Sequence, residues 1–278
     1  MKKACVIGYP IAHSRSPLIH NYWLKTYGIE GLYEKREVRP EDLKDFLTNL
    51  KSHGYVGCNV TIPHKEAALP LIPVLDDVAR KTGSLNTIYF EDGVLKATST
   101  DGEGFYQNLM TTIPKLDLTG KTAIIIGAGG SSRAIIERLL RAGLGELKIV
   151  NRTLAKAEEL AQLFGPKLKA LAPERFGSES KTAALVVNCT SLGMKGQLPL
   201  EIELSALPDD AVVADLVYVP LKTELLDRAE SRGLRIVGGL GMLLHQATVG
   251  FEKWFGQRPE VTDELYHLVA KDVDPEFT

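Results

Sequence analysis

Short apolar runs alternate along this chain with segments whose apolar residues recur every three or four positions, the pattern of an α/β protein. Ala4–Gly8, Leu32–Val38 and Tyr55–Val60 predict strands. Between the first two, Pro17 opens a helix carried by Ile19, Tyr22, Trp23 and Tyr27, with Ser16 as its natural cap. Pro40–Ser52 predicts a second helix, Pro63 marks the first turn of a short third, and residues 76–83 predict a fourth. Thr87–Phe90 and Val94–Thr98 read as a hairpin turned at Glu91-Asp92-Gly93. Asp101 is placed to cap a helix running to about Thr112.

From Lys121 to about Gly238 the alternation of strand and helix is strict. Ala123–Ile126 is a run of the kind buried on both faces of a sheet, and Leu147–Val150 repeats it. The helix between them starts at Ser131, shows an apolar face of Ile135, Ile136, Leu139 and Leu140, and closes at Gly143 and Gly145. Helix 153–164, strands near 167–171 and 183–188, strand Ala211–Val217, helix 223–232 and strand Ile236-Val237 follow. Helix 240–256 is largely apolar, with Gln246 its polar exception, and a helix from about Glu260 to Ala270 ends the pattern. Two domains follow: a discontinuous α/β domain of residues 1–101 and 239–278, interrupted by an open parallel-sheet domain of residues 102–238.

Composition narrows the setting. The 278 residues include 33 basic and 35 acidic side chains, which points to neither a nucleic acid nor an anionic membrane. Cys5, Cys58 and Cys189 are odd in number and widely spaced, unlike a disulfide framework or a CxxC metal site. The apolar stretch after Met1-Lys2-Lys3 is cut short at Tyr9-Pro10, and no run reaches the roughly 20 apolar residues of a membrane span. A cytoplasmic protein is expected, and composition does not choose between a monomer and a homodimer.

The glycines Gly127, Gly129 and Gly130, with Ala128 between them and Ser131 next, sit at a strand-to-helix turn. There they let the backbone approach a pyrophosphate, whose charge rests on the N-terminus of the helix. Ser132 stands at the third glycine position of the dinucleotide fingerprint, small enough for helix to pack on strand. An ordinary strand–helix–strand turn would use the same glycines, but the context is that of a Rossmann-type, doubly wound nucleotide domain. The second strand ends in Asn151-Arg152-Thr153, without the carboxylate that takes a ribose 2′-hydroxyl in NAD sites. Arg152 suits a 2′-phosphate, with Thr153 as a further donor, and so points to NADP. The plainer alternative is that Asn151 and Thr153 cap the next helix and Arg152 is a solvated charge.

Ser14 and Ser16 have two readings, loop and cap or a pocket for a small carboxylate beside a helix N-terminus. Lys65 follows Pro63 near the positive end of a short helix, where a lysine is poorly placed for stability. It is either a surface lysine or one kept for chemistry. His64 reads as packed or exposed, and the six histidines show no metal-ligand spacing, so no metal is expected.

Taken together, these motifs resemble the shikimate dehydrogenase family from end to end. The residues that carry the resemblance are Ser14–Pro17, Asn59–Lys65, Asn86-Thr87, Thr100–Phe105, Gly127–Gly130, Asn151–Thr153, Asp215–Tyr218 and Gly241–Ala247. The resemblance implies reversible NADPH-dependent reduction of 3-dehydroshikimate to shikimate, a step of aromatic amino-acid biosynthesis. It implies Lys65 and Asp101 as the catalytic pair, and Ser14 and Ser16 on the substrate carboxylate. Asn59, Thr61, Asn86, Gln246 and Tyr218 would complete the substrate site. Thr190, Leu216, Gly239 and Met242 would join the glycine loop and Asn151–Thr153 around the cofactor. Three positions depart from the family pattern: Arg15, Ser99 and Val219. Quinate or aminoshikimate dehydrogenases of the same fold, a non-catalytic ligand sensor, and a glutamyl-tRNA-reductase-like protein using Cys58 are the competing expectations.

Overall fold

The computed structural model describes residues 1–277. The chain divides into two compact units, one of Met1–Gly104 with Leu244–Val269, the other of Phe105–Leu243 with the residues after Val269.

The first part of the chain forms β1 (Lys2–Gly8), α1 (Ser16–Thr26), β2 (Gly31–Glu37), α2 (Leu43–Thr48), β3 (Tyr55–Val60) and α3 (His64–Ala67). It continues through β4 (Val74–Leu75), α4 (Asp77–Thr82), β5 (Thr87–Glu91), β6 (Val94–Thr98) and α5 (Asp101–Thr112). The six strands make one mixed sheet in the order β2-β1-β3-β5-β6-β4. β1 runs parallel to β2 and β3, whereas β5 is antiparallel to β3 and to β6. The predicted helix over 40–52 is shorter than its pattern: a 3₁₀ turn at Pro40–Asp42 precedes α2, which ends at Thr48. Ile7, Phe46, Leu47, Leu50, Val60 and Ile88 belong to one buried cluster of this unit.

A second cluster is aromatic. Tyr33 stacks on His20 with ring centroids 4.0 Å apart, and Trp23, Phe251 and Trp254 close around the same imidazole. Burial lowers the His20 pKa to about 3, outweighing the neighbouring Asn59. The unfolded chain therefore takes up a proton below pH ~6.5 that the folded chain refuses. The stability is whole above that pH and is lost as pH falls towards 3. Between pH 6.5 and 5 this one group should cost about 2 kcal/mol. Denaturant unfolding of His20→Phe across that range should lack this part of the slope; equal slopes in the two proteins would refute the assignment.

The second part of the chain forms β7 (Thr122–Ile126), α6 (Gly130–Arg141), β8 (Glu146–Val150), α7 (Leu154–Phe164), β9 (Leu168–Leu171) and α8 (Phe176–Glu179). β10 (Ala183–Asn188), β11 (Val212–Asp215), α9 (Glu224–Ser231), β12 (Arg235–Val237), α10 (Leu240–Phe255) and α11 (Asp263–Val273) complete it. The sheet is parallel throughout, in the order β12-β11-β10-β7-β8-β9. Alternate strand residues serve opposite faces: Ile125, Ile149 and Val187 pack with α5 and α6, and Ile124, Val186 and Val213 with α9. Both faces are covered, which is why β7, β10 and β11 read as apolar runs, while the Lys148 ammonium of β8 is bonded to Glu179 Oε2 at 2.9 Å. Strand order reverses between β7 and β10, the switch point at which such sheets bind ligands. Among the described residues no helix is long and apolar enough to cross a membrane.

Candidate active site

In the first unit, β3 delivers the chain into α3, and the Lys65 carbonyl accepts the Leu85 N–H at 3.0 Å. His64 is buried, its Nε2 at 2.8 Å from the Val38 carbonyl, and serves packing. Lys65 faces the other way, its side chain 17% exposed and its ammonium paired with Asp101 Oδ2. Asp101 is the first residue of α5, yet its carboxylate is not spent on capping. Oδ1 accepts instead from Asn86 Nδ2 at 2.7 Å.

Asn86 organises what surrounds this pair. Its Nδ2 also lies 2.9 Å from Thr100 Oγ1 and 3.2 Å from Gln246 Oε1. Its Oδ1 accepts the Thr100 N–H at 2.8 Å, and its carbonyl accepts from Asn59 Nδ2 at 3.0 Å. Gln246 gets close because Gly104 has no side chain: a Cβ there would lie 2.7 Å from the Gln246 backbone nitrogen. All these polar groups are buried and bonded to one another, so they hold one arrangement. Lys65, Asn86, Asp101 and Gln246 are thus brought into direct contact, with Asn59 one bond further out.

Ser14 and Ser16 form a pair of their own, hydroxyl oxygens 3.3 Å apart. Ser16 does not cap α1: Arg15 holds the cap position, and Ser16 is the buried first residue of the helix. The Ser16 hydroxyl lies beside that of Tyr33, which donates to Asn59 Oδ1 at 2.6 Å. Local pattern could not show this, because the partner is on another strand. Tyr33, which the motifs did not single out, therefore links the serine pair to the amide cluster. Thr61 is half-buried just beyond β3. Arg15 turns its guanidinium onto the His13 carbonyl at 2.8 Å.

In the second unit, Gly127 follows β7 with φ 102, and a Cβ there would meet Thr190 Cγ2 at 2.8 Å. Only glycine permits that turn at that distance. α6 begins one residue earlier than its pattern predicts, at Gly130, and the buried Ser132 hydroxyl accepts the Gly129 N–H at 3.2 Å. Gly127, Asn151, Arg152 and Thr190 line a cleft of ≈ 760 Å³ at the carboxyl ends of the strands. Ala128, Gly130 and Ser131 lie at the turn and the first positions of α6. Thr153 takes the cap position of α7 without a side-chain bond, while Asn151 Nδ2 donates to the Thr153 carbonyl at 2.8 Å. Leu216 and Gly239 meet elsewhere in the unit: a Cβ at Gly239 would lie 2.2 Å from the Leu216 carbonyl oxygen. Met242 is buried in the core against the sheet, and Tyr218 is half-buried on the loop after β11.

Three family models match the chain: the shikimate dehydrogenase substrate binding domain at residues 6–88, shikimate / quinate 5-dehydrogenase at 109–193, and the shikimate 5′-dehydrogenase C-terminal domain at 239–263. The shikimate dehydrogenase (NADP(+)) of Nitrobacter hamburgensis is 54% identical over 98% of this chain and 95% of its own. The chain belongs to the shikimate dehydrogenase family. A solved shikimate dehydrogenase from Thermus thermophilus, in complex with NADP(H) and shikimate, is 33% identical with a TM-score of 0.84, covering 98% of this chain and 100% of that one. The fold is not confined to one substrate. The quinate dehydrogenase of Corynebacterium glutamicum in complex with NAD is 27% identical, with a TM-score of 0.89 over 96% of this chain and 98% of that one.

Proposed function

We propose that this chain interconverts 3-dehydroshikimate and shikimate with NADP, the ring acid bound by the first unit and the nucleotide by the second. The observation that carries this reading is the Lys65–Asp101 pair, held by Asn86 within a buried polar cluster. Reduction of a ketone builds negative charge on its oxygen, which an ammonium stabilises and protonates. Lys65 is the proton donor, and in the reverse direction the acceptor. Asp101 orients it, and Asn86 fixes Asp101. Ser14 and Ser16 offer adjacent hydroxyls to the substrate carboxylate. Asn59, Thr61, Asn86 and Gln246 are assigned to the ring.

The second unit fits a dinucleotide: Gly127 leaves no side chain at the tight turn, and Arg152 and Thr190 flank the cleft at the switch point. Bound there, NADP supplies or accepts the hydride. Gly127, Ala128, Gly129, Gly130 and Ser131 would hold its phosphates, Asn151, Arg152 and Thr153 its 2′-phosphate end, and Thr190, Leu216, Gly239 and Met242 its remaining length. Replacing Arg152 by alanine should raise KM for NADP by about ten- to a hundredfold, while KM for NAD changes little. Equal changes for both cofactors would remove Arg152 from 2′-phosphate recognition. The free thiols of Cys5, Cys58 and Cys189 support a reducing, cytoplasmic setting.

The direct test is nicotinamide absorbance with shikimate or quinate, each paired with NADP or NAD. Reduction of NADP with shikimate well above the other pairs is expected. A quinate rate matching that with shikimate would remove the preference for shikimate, and no turnover with any pair would leave a ligand sensor.

A further inference from the structure

At the carboxyl ends of β10 and β11 two buried polar side chains, Asn188 and Asp215, face each other as register partners. Asn188 Nδ2 donates to Asp215 Oδ1 at 2.9 Å and to the Leu192 carbonyl at 3.1 Å. Its Oδ1 accepts both the N–H and the hydroxyl of Thr190, at 3.0 and 2.7 Å. Asp215 Oδ1 also accepts the Val217 N–H at 2.9 Å, and Oδ2 accepts the Thr223 hydroxyl at 2.7 Å. Thr223 in turn caps α9 through the Leu226 N–H at 3.4 Å. Two side chains thereby secure both loops that leave the sheet here, 189–194 and 216–223.

Neither residue lines the cleft, but Thr190, Ser191 and Leu192 do. Burial pushes the Asp215 carboxyl pKa up, against bonds from a hydroxyl, a backbone N–H and an amide that favour its charge. A carboxylate kept at 2% exposure on neutral donors alone is costly, and a strand end offers cheaper side chains. What this one obtains is two loops held in register with each other. Resting on the reading of the second unit as the NADP site, we propose that Asn188 and Asp215 are positioning residues that set both loops and thereby the affinity for NADP.

The test compares Kd for NADPH, read from its fluorescence on the full-length chain without substrate, with KM for shikimate. Asn188→Ala should raise Kd for NADPH by about tenfold or more while KM for shikimate stays within about twofold. Thr223→Val, which removes one bond to Asp215, should raise Kd by about threefold, and Thr223→Ser should restore it. An unchanged Kd in folded Asn188→Ala overturns the proposal. So does a parallel rise in Kd and KM, the sign of a generally loosened fold. If Asn188→Ala fails to fold, the Val and Ser variants of Thr223 decide by the same criteria. A wild-type chain that bound no NADPH would sink the cofactor reading and this inference with it. One that bound NADPH without oxidising shikimate would sink only the substrate reading, since the fluorescence comparison still decides this one.

Discussion

Lys65→Ala is expected to lower kcat for shikimate oxidation roughly a thousandfold, with KM for shikimate changing only a few-fold. The reason lies in what the ammonium does at each stage. On the proposed reading Lys65 is, in the ground state, one of several polar groups around the ring, and Asn86 keeps its bonds to Asp101 and Gln246 without it. As hydride transfer proceeds, the oxygen changes charge, and the proton must go to or come from a group in contact with it. Removing Lys65 takes that group away and leaves the Asp101 carboxylate uncompensated where negative charge develops on the oxygen. Lys65→Arg should not restore the rate, because a guanidinium keeps charge but does not exchange its proton near neutrality. The fold should survive, since α3 is tied to the start of β5 by the Lys65 carbonyl, which any residue provides. Steady-state kinetics with circular dichroism on both variants would check this. A near-normal kcat with a raised KM would make Lys65 a binding residue and nothing more.

Gly57→Ala is expected to destabilise the first unit by about 3 kcal/mol or more. A Cβ at Gly57 would stand 2.1 Å from Trp254 Nε1 and 2.3 Å from the Ile88 carbonyl oxygen. Those two atoms are themselves bonded, the indole N–H donating to that carbonyl at 2.9 Å. The methyl group would have to displace the indole, the strand, or both. Gly57 lies opposite Tyr89 in the β3–β5 ladder, so the strand cannot move without spoiling its register. Trp23 and Trp254 are the chain's two tryptophans, both in the first unit, so intrinsic fluorescence reports on its unfolding selectively. A midpoint within error of wild type would show that the indole has room to step aside.

Much of the architecture was legible from pattern because each signal was local. β3 spans Tyr55–Val60 as the alternation predicts, and the buried strands of the parallel sheet announce themselves as apolar runs. The glycine turn was legible for the same reason: a tight turn is readable in a few residues. Ser16 and Asp101 were not, since both sit where a helix cap is expected. What turns them away from capping is a partner far along the chain, Tyr33 for one and Lys65 with Asn86 for the other. Tyr33 and Asn188 escaped notice for a related cause. Each is an unremarkable strand residue until the sheet order sets its neighbour. Strand order, in which β5 adds antiparallel beside β3, is likewise a long-range outcome.

The discontinuity of the first unit bears on how the protein is made. Residues 1–104 emerge early, yet Trp254, whose indole bonds β5, and Gln246, which completes the amide cluster, come from α10, about 140 residues later. At ordinary translation speeds of ~5–20 residues per second, that is a wait of several seconds or more. Throughout it, an aromatic pocket around His20 and Tyr33 lacks Phe251 and Trp254, two of its walls. The intervening sheet, β7 to β12, is complete before α10 leaves the ribosome. The half begun first is therefore closed only after the sheet of the other is made, and its exposed aromatic face during that interval is where a chaperone would have its business with this chain.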